Sequence, residues 1–322
     1  MAVRPMTPVS VRAAVELALD HLSRRPLLVV SDFDGTLSRI VDDPWGATIV
    51  PLGRRALRTL AGLPDVHVVV LSGRTAADAA ARVRVGGVSY LGNHGMERAF
   101  LPRRGRPERL RTEVDQAAHE AVHAAERLAD EVPRLLPEPW LVVERKPPAV
   151  AFHYRAAPDL AQAAARLRAA VERLDPDGVL ERFPGRRVLE LRPYGAVAKG
   201  QALATLVEQL MPRAVFLLGD DVSDAMAFRT LRELRLRGVT DGIAVAVQAR
   251  AEVPDEVLEA ADVVLASPVD ASRFLSALAR RLRSTARSTG DESAPPPLSG
   301  LTSARQPLVR RRGVHGVDPA HE

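Results

Sequence analysis

Two short acidic runs carry most of the chemistry this chain offers. Asp32-Phe33-Asp34-Gly35-Thr36 follows the apolar run Leu27-Leu28-Val29-Val30, and Gly219-Asp220-Asp221-Val222-Ser223-Asp224 follows the apolar residues 214–218. In an extended chain residues i and i+2 project to the same side, so Asp32 and Asp34 point together beyond the end of their strand. Gly35 permits the sharp turn that follows. Carboxylates this close repel unless a cation lies between them, and hard oxygen donors suit Mg²⁺. An Asp-x-Asp-Gly run also occurs in calcium loops, but such a loop needs a bidentate Glu at its twelfth position, where this chain has Asp43. The second run sets three carboxylates at another strand end, an arrangement too costly without a divalent metal, although Asp224 alone would serve equally as a helix N-cap. A third segment, Ser72-Gly73-Arg74-Thr75, joins a hydroxyl and a glycine to a helix start, where free amides and the helix dipole favour an anion. The fourth is Lys199-Gly200. Of the 45 basic residues only Lys146 and Lys199 are lysines, which suggests lysine is used where a compact ammonium is needed. At residue 199 it would neutralise both a phosphate and a carboxylate nucleophile.

These groups need a scaffold that delivers strand ends to one place. Residues 27–30, 66–71, 214–218 and 243–247 are continuous apolar runs rich in β-branched side chains, as expected of strands buried on both faces. Amphipathic helices are expected over 52–61, 75–83 and 200–209, and strands alternating with such helices imply a parallel α/β sheet. Open sheets of this kind bind ligands outside the carboxyl ends of their strands. The middle of the chain reads differently. A helical stretch over 108–136 is followed by strands near 140–144 and 150–154, a helix over 158–174, and strands near 179–183 and 188–191. Helix, hairpin, helix, hairpin is an α+β pattern, so a small domain is expected to be inserted into the core. The boundaries are drawn at 1–105 and 194–283 for the core, 106–193 for the insert, and 284–322 for a tail poor in apolar residues that is expected to be disordered.

Composition bounds the remaining choices. The chain has 322 residues, 46% hydrophobic and 26% charged, as in ordinary globular proteins. It has no cysteine, which excludes disulfides, thiolate metal sites and a cysteine nucleophile. The net charge of +5 comes from arginines scattered among acids, and aromatic residues are only 4%. That pattern suits a small anionic substrate better than nucleic acid. Residues 1–25 lack a signal-peptide pattern and no apolar run approaches membrane-spanning length, so a cytoplasmic protein with no membrane partner is expected, as a monomer.

In order and chemistry the four segments resemble the haloacid-dehalogenase-like phosphatases. The resemblance implies a Rossmann-like α/β core with an inserted α+β cap. It makes Asp32 the nucleophile and Asp34 the acid that protonates the leaving oxygen and then deprotonates water. Ser72 and Lys199 would hold the phosphoryl group, with Gly73 and Arg74 beside it. Mg²⁺ would be bound by Asp32, the Asp34 carbonyl and Asp220, with Asp221 or Asp224 acting directly or through water. Further segments resemble the trehalose-6-phosphate phosphatase family in particular. They are Gly92-Asn93-His94-Gly95-Met96-Glu97, Glu144-Arg145-Lys146, His153-Tyr154-Arg155, Glu190-Leu191-Arg192-Pro193, and Ile40 to Pro44 after the first motif. This resemblance assigns Glu144, Lys146 and Glu190 to sugar hydroxyls, with His94, Glu97 and His153 alongside. Arg39, Ser223 and Ala225-Met226 depart from the family pattern, whereas the core carboxylates are kept. The alternatives are a phosphatase for another sugar phosphate, such as sucrose 6-phosphate, and a non-catalytic sugar-phosphate sensor. A sensor would be expected to lack Asp32, Asp34 or Lys199. No glycosyltransferase domain is expected before the phosphatase, and hinges for cap closure are expected near 97–106 and 192–199.

Overall fold

The computed structural model describes residues 7–41, 43–114, 119–146, 148–185, 187–193, 199–249 and 253–289. In chain order the elements are α1 (Val11–Ala18), β1 (Leu27–Ser31), α2 (Pro51–Leu60), β2 (Val66–Leu71), α3 (Ala76–Val83), β3 (Val88–Gly92), β4 (Glu97–Leu101) and β5 (Glu113–Val114). Then come α4 (His119–Leu135), β6 (Val142–Lys146), β7 (Ala149–His153), α5 (Leu160–Leu174), β8 (Leu180–Gly185) and β9 (Val188–Pro193). The chain continues through α6 (Lys199–Leu210), β10 (Ala214–Gly219), α7 (Val222–Leu236), β11 (Asp241–Val247), α8 (Asp255–Ala260), β12 (Val263–Leu265) and α9 (Pro268–Thr289).

Eight strands form one sheet in the order β12-β11-β10-β1-β2-β3-β4-β5. The strands from β12 to β3 are parallel; β4 and β5 extend the edge antiparallel. β1 is buried throughout because it has a covered face on each side. Leu27 and Val29 join a core built with α1, α2, α3 and α9, whereas Leu28 and Val30 join a core built with α6, α7 and α8. Double coverage explains why its sequence is a continuous apolar run rather than an alternating one. α3 opens on Thr75, whose side chain accepts from the Asp78 amide, and α7 opens on an Asp221 capping box.

The insert is a second sheet, β6-β7-β9-β8, antiparallel throughout. Val150, Phe152, Leu189 and Leu191 on one face pack against Leu128 and Val132 of α4 and Leu167 and Val171 of α5. The opposite face carries Glu144, Lys146, His153, Glu190 and Arg192, in the alternation expected of a sheet covered on one side.

Three expectations are corrected. The helix expected over 108–136 begins at His119, and Glu113–Val114 pairs instead with Glu97 and Arg98 of the large sheet, so a cap boundary at 106 falls too early. Residues 97–101, expected to hinge, form a strand paired along its length with β3 and, at Glu97 and Arg98, with β5. α9 runs to Thr289, past the boundary drawn at 284. Residues 290–322 of the expected tail, and 194–198 of the second expected hinge, lie outside the described residues. Among the described residues no helix is long and apolar enough to cross a membrane.

Candidate active site

Because β10, β1 and β2 are adjacent and parallel, their carboxyl ends bring residues from distant parts of the chain to one edge. Ser31 is in register with Leu218 and with Val70, and the Asp32 amide donates to the Leu218 carbonyl at 3.0 Å. Asp32, Ser72 and Asp220 therefore stand side by side.

Lys199, the first residue of α6, reaches into this edge from the side. Its Nζ donates to Asp32 Oδ1 and to Asp224 Oδ1, both at 2.8 Å. All three side chains are almost completely buried. Asp32, Asp220 and Asp224 each offer an oxygen within 4.8 Å of the others. The backbone is shaped around this cluster. Gly35 has φ +82°, and a Cβ there would lie 2.2 Å from Asp220 Oδ2. A Cβ on Gly219 would lie 2.2 Å from Asp224 Cγ. Both glycines are needed for close approach of carboxylates.

The electrostatics show how tightly the acids are gathered. Burial pushes Asp32 up to about 7, Lys199 works against that shift, and Asp220 and Asp221 add to it. Burial likewise raises Asp224 well above the carboxylate range, against the pull of Lys199. The lysine itself is raised: burial disfavours its charge, but Asp224 and Asp32 prevail. One ammonium does not balance three gathered carboxylates. A divalent cation with a preference for oxygen ligands does, so the residues present fit Mg²⁺, held by Asp32, Asp220 and Asp224.

Two residues of the expected metal set stand apart from that cluster. Asp221 caps α7, accepting from the Asp224 amide at 2.9 Å and from Ser223 Oγ at 2.6 Å. Its Oδ1 is 4.0 Å from Lys199 Nζ, and it falls outside the gathered oxygens. Asp224 also receives the Asp220 amide at 3.1 Å, so it organises the loop as well as facing the cluster. The Asp34 side chain turns to Arg74, which donates from Nε at 2.6 Å and from NH2 at 2.8 Å, and so takes no part in the gathered cluster. Arg74 is fixed in turn by Asp78 at 2.8 Å, and Asp78 by Arg82, which also holds the carbonyls of Trp45 and Ala47. Burial raises the Asp78 carboxyl, but Arg82 and Arg74 outweigh it and hold the group below its ordinary value.

The segment 92–97 lies beneath the Ser72–Arg74 loop. The His94 amide donates to the Ser72 carbonyl at 2.9 Å and the Asn93 amide to the Arg74 carbonyl at 2.8 Å. Both residues adopt positive φ, Asn93 at 48° and His94 at 60°. The His94 ring lies so close to Gly73 that a Cβ there would be 3.0 Å from its Cε1 and Nε2. Glu97, expected at the sugar, is turned inward instead. It accepts from the Ala76 amide at 2.8 Å and from Asn93 Nδ2 at 2.6 Å, and so secures the start of α3.

The polar face of the cap sheet meets this segment. Glu144, Ala151, Glu190 and Phe183 form one cross-strand row. Glu144 accepts from Lys146 at 3.2 Å and pairs with His153 Nε2 at 2.9 Å. Glu190 accepts from Arg192 at 2.6 Å. Between these charged flanks the middle strand places Ala149 and Ala151, both buried, with His153 beyond them on the same face. Cap and core are tied here by Asn93 Nδ2, which donates to the Lys146 carbonyl at 3.3 Å, and by Arg192 NH2, which donates to His94 Nε2 at 3.0 Å. Arg192 and Asn93 were not among the expected site residues. The signal for Arg192 was its i+2 spacing from Glu190 on an expected strand; Asn93 offered only its place beside His94.

A doubly wound sheet with gathered strand-end aspartates, a buried lysine and an inserted antiparallel cap defines the haloacid-dehalogenase-like class. Within that class a family model for trehalose-phosphatase matches residues 30–257, and the chain belongs to that family. The trehalose-phosphate phosphatase of Mycobacterium leprae is 35% identical over 283 residues, which is 83% of this chain and 61% of that protein. The chain thus spans less than two thirds of this curated relative. Among solved structures, trehalose-6-phosphate phosphatase of Aspergillus fumigatus aligns with TM-score 0.59 at 25% identity, covering 86% of this chain and 99% of that one. The C-terminal domain of the C. albicans trehalose-6-phosphate phosphatase aligns with TM-score 0.64 at 22% identity, over the same shares.

Proposed function

We propose that this chain hydrolyses trehalose 6-phosphate to trehalose and phosphate through a phospho-aspartate on Asp32, with Mg²⁺. The observation that carries the reading is that the Asp32–Lys199–Asp224 cluster and the charged face of the cap sheet meet across His94 and Arg192. Lys199 fixes one oxygen of Asp32, which leaves the other to attack phosphorus in line. As the new P–O bond forms, the bond from phosphorus to the sugar oxygen breaks, and Asp34 delivers a proton to that oxygen. Asp34 then takes a proton from water, whose oxygen attacks phosphorus; the bond to Asp32 breaks and phosphate leaves. Ser72, the amides after it and Lys199 neutralise the transferring group. Mg²⁺, bound at Asp32, Asp220 and Asp224, would supply charge neutralisation that lets a carboxylate approach an anionic phosphate.

Glu144, Lys146 and Glu190, with His153 and Arg192 behind them, present the fixed acceptors and donors that sugar hydroxyls require. The reading extends to a cytoplasmic monomer that acts on a small molecule and needs no nucleic acid. A retained Asp32, Asp34 and Lys199, gathered at one edge, weigh against a non-catalytic sensor. The test is phosphate release from a panel of sugar phosphates, with and without Mg²⁺, and with Asp32→Asn as control. Metal-dependent preference for trehalose 6-phosphate is expected. Preference for another sugar phosphate would keep the aspartate chemistry and discard the substrate.

A further inference from the structure

Arg192 is bound on both sides of the junction between cap and core. On the cap its NH2 donates to Glu190 Oε2 at 2.6 Å and its guanidinium lies 4.6 Å from the centre of the Phe183 ring. Across the junction the same nitrogen meets His94 Nε2 at 3.0 Å. An arginine donates only, so His94 Nε2 is the acceptor in this contact. Burial and the neighbouring Arg192 push the His94 pKa down to about 3, which agrees with a neutral ring. The proton of that ring then sits on Nδ1, which is buried and has no partner in the protein, as is Nε of Arg192. Buried donors left in this state are costly. They are placed between the residue assigned to a sugar hydroxyl and the histidine that rests on the phosphate loop.

Resting on the function proposed above, we infer that Arg192 is a positioning residue that couples the sugar face of the cap to the phosphate loop. Glu190, Arg192, His94 and Gly73 form a continuous line of contacts from one to the other. Three features make that line stiff. The His94 backbone is pinned by its bond to the Ser72 carbonyl. Its ring lies over Gly73 so closely that a side chain at that position would have to push it aside, a Cβ there meeting it at 3.0 Å. The guanidinium is planar and clasped between a carboxylate and an aromatic ring. A sugar that engages Glu190 therefore fixes Arg192, and Arg192 fixes the height of the loop that receives the phosphate. A sugarless phosphate ester gains nothing from this line, so Arg192 contributes to the choice of substrate at the chemical step and not only to affinity.

The test compares wild type, Arg192→Gln and Arg192→Lys on trehalose 6-phosphate and on p-nitrophenyl phosphate, which has no sugar. In Arg192→Gln the ratio of kcat/KM for the sugar phosphate to that for p-nitrophenyl phosphate should fall about 10- to 100-fold, the range of a hydrogen bond to a charged group. At least half of that fall, on a logarithmic scale, should lie in kcat. Arg192→Lys, which keeps the charge without the fork, should recover only part of it. The effects of Arg192→Gln and His94→Gln on this ratio should be strongly non-additive when combined. An unchanged ratio, with both substrates slowed alike, would mean that Arg192 only supports the fold, and so would additive effects. A fall confined to KM would mean that Arg192 serves binding alone. If wild type prefers a different sugar phosphate, the proposed substrate fails, and the same ratio measured with the preferred ester still decides the role of Arg192.

Discussion

Replacing Lys199 with Met separates the two duties of that side chain. Methionine nearly matches the volume of lysine, so little packing is lost. What is lost is the countercharge for two carboxylates. Lys199 is 1% exposed, and its partners Asp32 and Asp224 are 6% and 2% exposed. Removing one partner of a buried ion pair costs roughly 3–5 kcal/mol, because the charge left behind is neither solvated nor paired. At about 2–4 °C per kcal/mol for a chain of this size, the melting temperature without metal should fall by roughly 6–20 °C. Saturating Mg²⁺ should restore much of this loss, since a divalent ion between Asp32, Asp220 and Asp224 replaces the missing charge. Wild type should gain less from the same addition. Turnover should not return. In the proposed mechanism the ammonium meets the transferring phosphoryl group where charge develops, and losing one such donor costs about 10²–10³ in kcat. Thermal melts with and without Mg²⁺, paired with phosphate release, read both effects. A metal-free melting temperature within about 2 °C of wild type would refute the countercharge assignment, given the cost of an unpaired buried carboxylate. Turnover within tenfold of wild type would refute the phosphoryl contact.

Three further outcomes are expected. Asp32→Asn should abolish turnover while keeping the melting temperature at or above that of wild type, because it removes one of the crowded carboxylates; measurable turnover would displace Asp32 as nucleophile. Ala151→Val adds bulk between Glu144 and Glu190 on the charged cap face, so KM for the sugar phosphate should rise about tenfold, from loss of fit worth about 1–2 kcal/mol, with p-nitrophenyl phosphate little affected. Equal effects on both substrates would place the sugar elsewhere. Glu144 is held at about 2 instead of 4.5, because His153 and Lys146 outweigh the opposing effect of burial. A lowered carboxyl contributes stability in full above its unfolded value and loses it as pH falls through the folded one. Glu144→Gln should therefore flatten the decline of the denaturation midpoint between pH 4.5 and 2, and an unchanged slope would deny the pairing.

The catalytic edge was legible because its rules are local. An apolar strand, an acid and a glycine are contiguous in sequence, and parallel pairing of β10, β1 and β2 places their ends together whatever the intervening chain does. The inner face of the cap was legible for a similar reason: strand alternation predicts that Glu144 and Lys146 share a face, as they do. Glu97 was misread because its carboxylate answers to the Ala76 amide on α3, a contact that sequence spacing does not encode. The same holds for Glu113–Val114, two residues too few to show a pattern, which join the large sheet only because β4 offers an open edge. Asp224 read in sequence as a candidate N-cap of the following helix, but the structure gives that place to Asp221. What distinguishes them is the start of α7, which turns Asp221 into a cap and Asp224 toward Lys199.

The position of β1 in the sheet has a consequence for how the protein is made. One side of this strand pairs with β2, complete by residue 71, and the other with β10, which begins at residue 214. During translation at about 5–20 residues per second, that second edge waits roughly 7–29 seconds for its partner while the whole cap is synthesised. For that interval the nascent chain carries the open edge of a strand made of Leu27, Leu28, Val29 and Val30, the kind of template on which chains pair with each other instead of with themselves. The same delay keeps Asp32 without Lys199, so this buried carboxylate gains its partner only after the cap has been made.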